Sequence, residues 1–281
     1  MPELPEVETV RRGLERQTRG FKVAQVTVRR DRAIAFPPQD AAGFASALQG
    51  RSVEAWTRRG KYLIARLDQG HWGVHLRMTG QFLWLEATES QMRIPCAHTR
   101  VQIWNRAGQE LRFVDVRSFG QMWWIPPGIP IDAVMTGLRR LGPEPFDPAF
   151  NASYLHQRLR GFTRPIKTAL LDQSLVAGVG NIYADEALFA AGIRPDTASG
   201  QIEPRRLEAL HRSLLEVLEI SIGAGGTTFS DFRDLTGTNG NYGGLAWVYR
   251  RPGQPCRRCG TSLRRDRLAG RSSHWCPRCQ T

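Results

Sequence analysis

Two cysteine pairs, Cys256-x2-Cys259 and, sixteen residues further on, Cys276-x2-Cys279, constrain this chain more than any other feature. Each pair reads as a tight knuckle, and two knuckles can bring four thiolates to one tetrahedral zinc ion. Four thiolates leave no open coordination position, so the expected cofactor is a single structural Zn2+. Two disulfides are the competing reading. The fifth cysteine, Cys96, stands alone, and no basic region with an apolar run marks a secretory signal at the N-terminus. Both points favour a reducing compartment and a metal. Residues 245–281 are therefore expected to form a small zinc finger.

The finger is basic, with arginines at 257, 258, 264, 265, 267, 271 and 278 against one acid, Asp266. The chain as a whole carries a net charge of +13. A chain this basic usually meets a polyanion, and nucleic acid is the commonest. An anionic membrane surface competes, but no apolar stretch is long enough to span a bilayer. Only Lys22, Lys61 and Lys167 are lysines, so a lysine that remains is worth weighing for its own chemistry.

Periodicity divides the rest of the chain. Val7, Val10 and Leu14 predict an amphipathic helix over 5–18. Short strand-like runs separated by turn segments fill about 21–125, with one helical interruption at 44–50, and predict a β-sandwich or barrel. PPGIP and GPEPFDP break the pattern and place a linker at 131–148, after an N-terminal domain of 1–130. Beyond it the period is helical, at 149–160, 165–173, 181–191 and 204–222. Asp147-Pro148 reads as the N-cap and first helical position. This helical domain is expected to span 149–244, with a Gly-, Thr- and Asn-rich loop at 223–244, and LAWVYR at 245–250 reads as a strand. The fold class is α+β and multidomain.

The candidate chemistry is at the start. Pro2 follows the initiator methionine, with Glu3 and Glu6 close behind. With Met1 removed, the chain would begin with a secondary amine beside an acid, and Schiff-base chemistry needs an unprotonated amine. The bland alternative is a stable end with surface charges. Gly178-Val179-Gly180-Asn181 precedes a helix and could approach a phosphate, though such turns are often only turns. Taken singly, Met78 and Phe119 read as core residues, Arg117 as the partner of Asp115, His75 as a structural histidine, and Cys96 and His98 as incidental.

Taken together, PELPEVETVRRGL (2–14), RRGKYL (58–63), HLRMTG (75–80), DVRSFG (115–120), LGPEPF (141–146), the run 166–193, GGTTFSDF (225–232) and the two cysteine knuckles resemble the formamidopyrimidine-DNA glycosylases. The PELPEVE opening resembles the oxidised-purine branch rather than the PEGPE of the endonuclease VIII branch. The resemblance implies an N-terminal helix with a β-sandwich, a helix–two-turn–helix domain and a zinc-finger hairpin. It implies a catalytic set of Pro2, Glu3, Glu6, Lys61 and Arg271. It also implies a DNA-binding set of His75, Asn181, Met78, Arg117, Phe119 and Lys167, and zinc on Cys256, Cys259, Cys276 and Cys279. Pro2 would attack C1′ of the damaged nucleotide, and Met78, Arg117 and Phe119 would fill the hole left by the extruded base. Position 118, often basic in the family, is Ser118 here, which puts one phosphate contact in question. The expected partner is duplex DNA with oxidised bases or abasic sites, met by a monomer in the bacterial cytoplasm, at the nucleoid. Two alternatives stay open: an enzyme of the same fold for oxidised pyrimidines, and a zinc-dependent DNA-binding protein without chemistry.

Overall fold

A computed structural model describes residues 1–228 and 234–281. Residues 229–233, which fall in the GGTTFSDF motif and the expected 223–244 loop, lie outside the described residues. The chain divides into two compact units, Met1–Arg139 with Gly225–Asn241, and Arg140–Ala224 with Tyr242–Thr281. The sequence reading places 225–241 with the helical domain; in the structure this segment belongs to the first unit. Leu235 is the reason. Its side chain is buried in the first unit's core, and its carbonyl accepts a hydrogen bond from Trp84 N–H at 2.9 Å.

The first unit opens with helix α1 (Leu4–Thr18), whose Val7, Val10 and Leu14 face the core as their spacing requires. The strands are β1 (Val23–Val28), β2 (Ile34–Phe36), β3 (Val53–Arg59), β4 (Tyr62–Leu67), β5 (His71–His75), β6 (Gly80–Leu85), β7 (Thr99–Asn105), β8 (Glu110–Asp115) and β9 (Gln121–Ile125). They form two sheets, in the orders β1-β7-β8-β6 and β2-β9-β5-β4-β3. Among the described residues only β2 and β9 pair in parallel. Phe82, Ile103, Leu111 and Phe113 from one sheet join Trp56, Leu63, Trp72, Val74 and Met122 from the other in one core, which makes the expected sandwich. Helix α2 (Ala41–Leu48) is the interruption, capped by Asp40 accepting from Gly43 N–H at 2.7 Å. Helix α3 (Ala87–Met92) links β6 to β7, and α4 (Ile131–Val134) follows β9. Strand β8 is buried throughout, and two of its charged side chains satisfy one another, Arg112 donating to Glu110 at 2.6 Å.

The second unit carries α5 (Ala152–Leu159), α6 (Ile166–Leu170), α7 (Asn181–Ala190), α8 (Pro204–Gly223), α9 (Tyr242–Leu245) and the hairpin β10 (Arg264–Leu268) and β11 (Arg271–Trp275). Two local expectations need correction. The cap of α5 is Asn151, whose side chain accepts from Tyr154 N–H, while Asp147 closes a separate turn onto Ala149 N–H. LAWVYR is not a strand. The N–H groups of Trp247, Val248 and Tyr249 all turn to the buried carboxylate of Glu186, at 2.7, 2.9 and 2.8 Å, and three successive donors on one acceptor cannot form a ladder. Among the described residues no helix is long and apolar enough to cross a membrane.

Candidate nucleic-acid interface and zinc centre

The first residues form a tightly defined helix start. Glu3 is the N-cap of α1 and Glu6 its third residue, and together they make a capping box. Glu3 N–H donates to Glu6 Oε2 at 2.8 Å, while Glu6 Oε1 accepts from Thr227 N–H at 2.7 Å. Both carboxyls are deeply buried, with Glu3 3% and Glu6 1% exposed. Pro2, also buried, sits directly before this cap. Gly226 is the residue that lets the chain come so close: at φ +81°, an added Cβ would stand 3.0 Å from Glu6 Oε1.

One turn further along α1, Glu8 gathers Arg11, Arg12 and Arg58. Burial would raise its pKa, but hydrogen bonds from Arg11 and Arg12 outweigh it, and the net shift is downward. Arg58 also donates to Gly60 O at 3.0 Å, which ties the β3–β4 turn to α1. That turn is Gly60-Lys61, between paired Arg59 and Tyr62, and Gly60 has φ +56°. A glycine at the first central position is what a two-residue hairpin of this hand requires. It carries Lys61, which is buried, on the same unit as Pro2 and Glu3.

His75 ends β5, and its Nδ1 accepts from Arg77 N–H at 2.9 Å, which leaves the proton on Nε2. Burial, with Arg77 and Lys61 nearby, lowers its pKa to about 3. His75 can therefore offer a neutral N–H donor to a phosphate, not a positive charge.

Met78 and Phe119 are not core residues: they are 40% and 39% exposed. Nor does the Arg117 side chain pair with Asp115. Its guanidinium lies 4.7 Å from the Phe119 ring centroid, and its Nη1 lies 2.9 Å from Met78 Sδ. The three side chains form one exposed ridge. Asp115 instead organises the backbone beneath it, accepting from Thr79 Oγ1, Arg117 N–H and Gly120 N–H. Arg77 and Ser118, flanking the ridge residues, both hold φ +54°, a costly conformation for residues with a Cβ.

In the second unit, Asn181 is the first residue of α7, and its Nδ2 lies 3.3 Å from Ser272 Oγ. Its Oδ1 is buried without a hydrogen-bond partner. Gln173 braces the preceding turn, accepting from Gly178 N–H and donating to Val179 O. Arg271 opens β11 and is exposed. Lys167 has a different place from the one expected. It is 1% exposed, paired with Asp185 at 2.7 Å, and it donates to Ser272 O at 2.5 Å. Asp185 also accepts from His274 N–H at 2.9 Å. Lys167 thereby fastens β11 to α7.

The four cysteine sulfurs lie within 4.8 Å of one another. Cys259 is lowered to about 6 by hydrogen bonds from Thr261, while burial and the neighbouring cysteines push Cys279 up to about 12. Without a cation, the cluster resists full ionisation. A closed, all-thiolate set of this size fits one structural Zn2+. Cys256 and Cys276 pack with Phe189 of α7 and Val248, so the knuckles are part of the unit's apolar core. Several of the finger's arginines are already engaged. Arg258 stacks on Phe189, Arg264 lies over Trp275, and Arg257 donates to Gly244 O and Leu245 O. Arg265 and Arg267 line a cleft of about 410 Å³ with Ser272.

Three family descriptions match this chain in order. Residues 1–122 match the formamidopyrimidine-DNA glycosylase N-terminal domain, 141–233 the formamidopyrimidine-DNA glycosylase H2TH domain, and 253–281 the zinc finger found in FPG and IleRS. The chain belongs to the formamidopyrimidine-DNA glycosylase family. A formamidopyrimidine-DNA glycosylase of Parasynechococcus marenigrum (strain WH8102) is 63% identical over 282 residues, covering 100% of both chains. The Lactococcus lactis Fpg bound to DNA with an abasic site superposes with a TM-score of 0.88 at 33% identity over 99% of both chains. The wild-type Lactococcus lactis Fpg bound to DNA with an oxidised pyrimidine also gives 0.88, at 34% identity over 100% of both. The family fold expected from the motifs is thus borne out, as are the zinc finger and its four ligands. Two carboxylates that sequence reading passed over, Asp185 and Glu186, organise the second unit, while Asp115, read from the sequence as the partner of Arg117, holds backbone in the first. Asp115 had a local signal, an Asp two residues before a turn N–H. The other two are adjacent on a helix and bond to segments roughly sixty to ninety positions away, which no spacing reveals.

Proposed function

We infer that this chain is a bifunctional repair enzyme that excises oxidised purines from duplex DNA and then cuts the strand at the abasic site. The observation that carries the reading is Pro2 set directly before the buried Glu3–Glu6 cap in a member of this family. Once Met1 is removed, the Pro2 nitrogen is a secondary amine at a helix start. It attacks C1′ of an everted nucleotide, and the bond from C1′ to the base breaks. Glu3 supplies the proton that opens the sugar ring. The proton of the amine leaves on the departing base, and with the ring oxygen protonated a cationic Schiff base forms. The cationic C=N acidifies the proton on C2′. Its loss expels the 3′ phosphate, and a second elimination expels the 5′ phosphate.

The base must leave the stack before C1′ can be reached, at a cost of a few kcal/mol. Met78 and Phe119 supply the apolar wedge and Arg117 the polar contact to the orphaned base. Lys61, the His75 N–H, Asn181 and Arg271 are assigned to phosphates, which hold register without reading sequence. Zinc, when bound, joins the two knuckles and takes no part in the reaction. Action on chromosomal DNA would place the enzyme at the nucleoid.

The test is cleavage of duplexes carrying 8-oxoguanine, a formamidopyrimidine or thymine glycol. The two oxidised purines should be cut fastest. Faster cutting at thymine glycol would instead support an oxidised-pyrimidine enzyme, a reading the Lactococcus lactis complex with oxidised-pyrimidine DNA keeps in play.

A further inference from the structure

Beside the ridge of Met78, Arg117 and Phe119 stands a second guanidinium that the reaction above leaves unused. Arg32 lies in the 3-10 turn Asp31–Ala33, and its guanidinium carbon is 5.9 Å from the centroid of the Phe119 ring. Strand register brings them together. β2 runs parallel to β9 with Ile34 opposite Met122, so Arg32 and Phe119, which lead into the two strands, emerge at the same end of the sheet. The turn is firmly held: Ala33 and Ile34 are buried, and Ala33 N–H donates to Arg30 O at 2.9 Å. Arg32 itself is exposed, and among the described residues no carboxylate pairs with it.

We propose that Arg32 is a positioning residue for the Phe119 wedge. It holds the ring ready in the free enzyme and passes to a backbone phosphate when the ring enters the base stack. The proposal rests on the repair reading above, in which one base is expelled and the gap is filled. An exposed phenyl ring samples several rotamers, and a guanidinium at its face narrows them. Once bases cover the ring, the cation loses that partner. A phosphate is then the anion at hand, and a guanidinium can fork onto it.

The test compares the full-length wild type with Arg32→Ala and Arg32→Lys on a duplex carrying 2-aminopurine beside 8-oxoguanine, whose fluorescence rises as the stack opens. Arg32→Ala should slow that rise by about fivefold, the order expected from losing one cation–π contact. The salt slope of its affinity should fall by about one, the signature of one lost phosphate contact. Arg32→Lys should restore the salt slope. Cutting of a duplex that already holds an abasic site should slow less, because no base has to be expelled. A wild-type opening rate and salt slope in Arg32→Ala would overturn the proposal. Equal slowing on both duplexes with a lower Tm would overturn it too, by marking a merely structural role. If the unsubstituted protein neither opens nor cuts the lesion duplex, the repair reading itself fails, which is visible without any variant.

Discussion

At neutral pH the buried His75 imidazole is uncharged, because water cannot reach it and Arg77 and Lys61 repel a third cation. Its pKa is about 3 in the folded chain, against about 6.5 when unfolded. The unfolded chain therefore binds this proton first as pH falls. The stability tied to His75 is complete above about pH 6.5 and drains away as pH drops towards 3. Tm should decline across that window, and His75→Gln should flatten the decline while weakening DNA binding only modestly. An unchanged pH slope in the variant would show that His75 is not the group responsible. At this scale the sequence was readable where partners are near neighbours. Val7, Val10 and Leu14 declare α1 by spacing alone, and the structure adds that Glu3 and Glu6 are a buried cap, not surface charges, with Glu6 accepting Thr227 N–H. Sequence could not show that Met78 and Phe119 would be exposed, since an apolar residue in a strand-rich region is core by default.

The elements of the second unit are joined by buried carboxylates on α7, and Lys167 is the informative case. The family resemblance assigns it to DNA, but its ammonium is sealed against Asp185 and Ser272 O. Lys167→Met leaves Asp185 without its counter-ion and should cost about 3 kcal/mol of stability, the range for breaking a buried pair. Urea denaturation measures it. If Lys167→Met instead lowers DNA affinity at unchanged stability, the side chain contacts DNA after all. Zinc acts at the same scale. Cys276→Ser removes a ligand that is also packed against Phe189, so metal content, hairpin order and DNA affinity should fall together. Full affinity in a zinc-free variant would mean the finger does not grip DNA. Strand and helix periods were legible in most elements because burial enforces them. LAWVYR failed because its backbone N–H groups answer to Glu186, a partner with no local sequence signal.

Across the whole molecule, the order of sandwich, helical region and finger was legible from changes in period and composition, and the net charge of +13 pointed correctly to a polyanion. The return of Gly225–Asn241 to the first unit was not, since a buried leucine, the Trp84 N–H bond to its carbonyl and the Thr227 N–H bond to Glu6 hold it there. That return matters to the reaction, because it brings Thr227 N–H to Glu6 beside Pro2. The α-amine of Pro2 is the central claim, with a lysine side-chain amine as the alternative. Borohydride reduction of the enzyme on an 8-oxoguanine duplex, followed by mass mapping of the protein–DNA adduct, tests it directly. The adduct should sit on an N-terminal peptide that begins at Pro2 and lacks Met1. An adduct on a peptide containing Lys61 or Lys167, or one formed with Met1 still attached, would contradict the account.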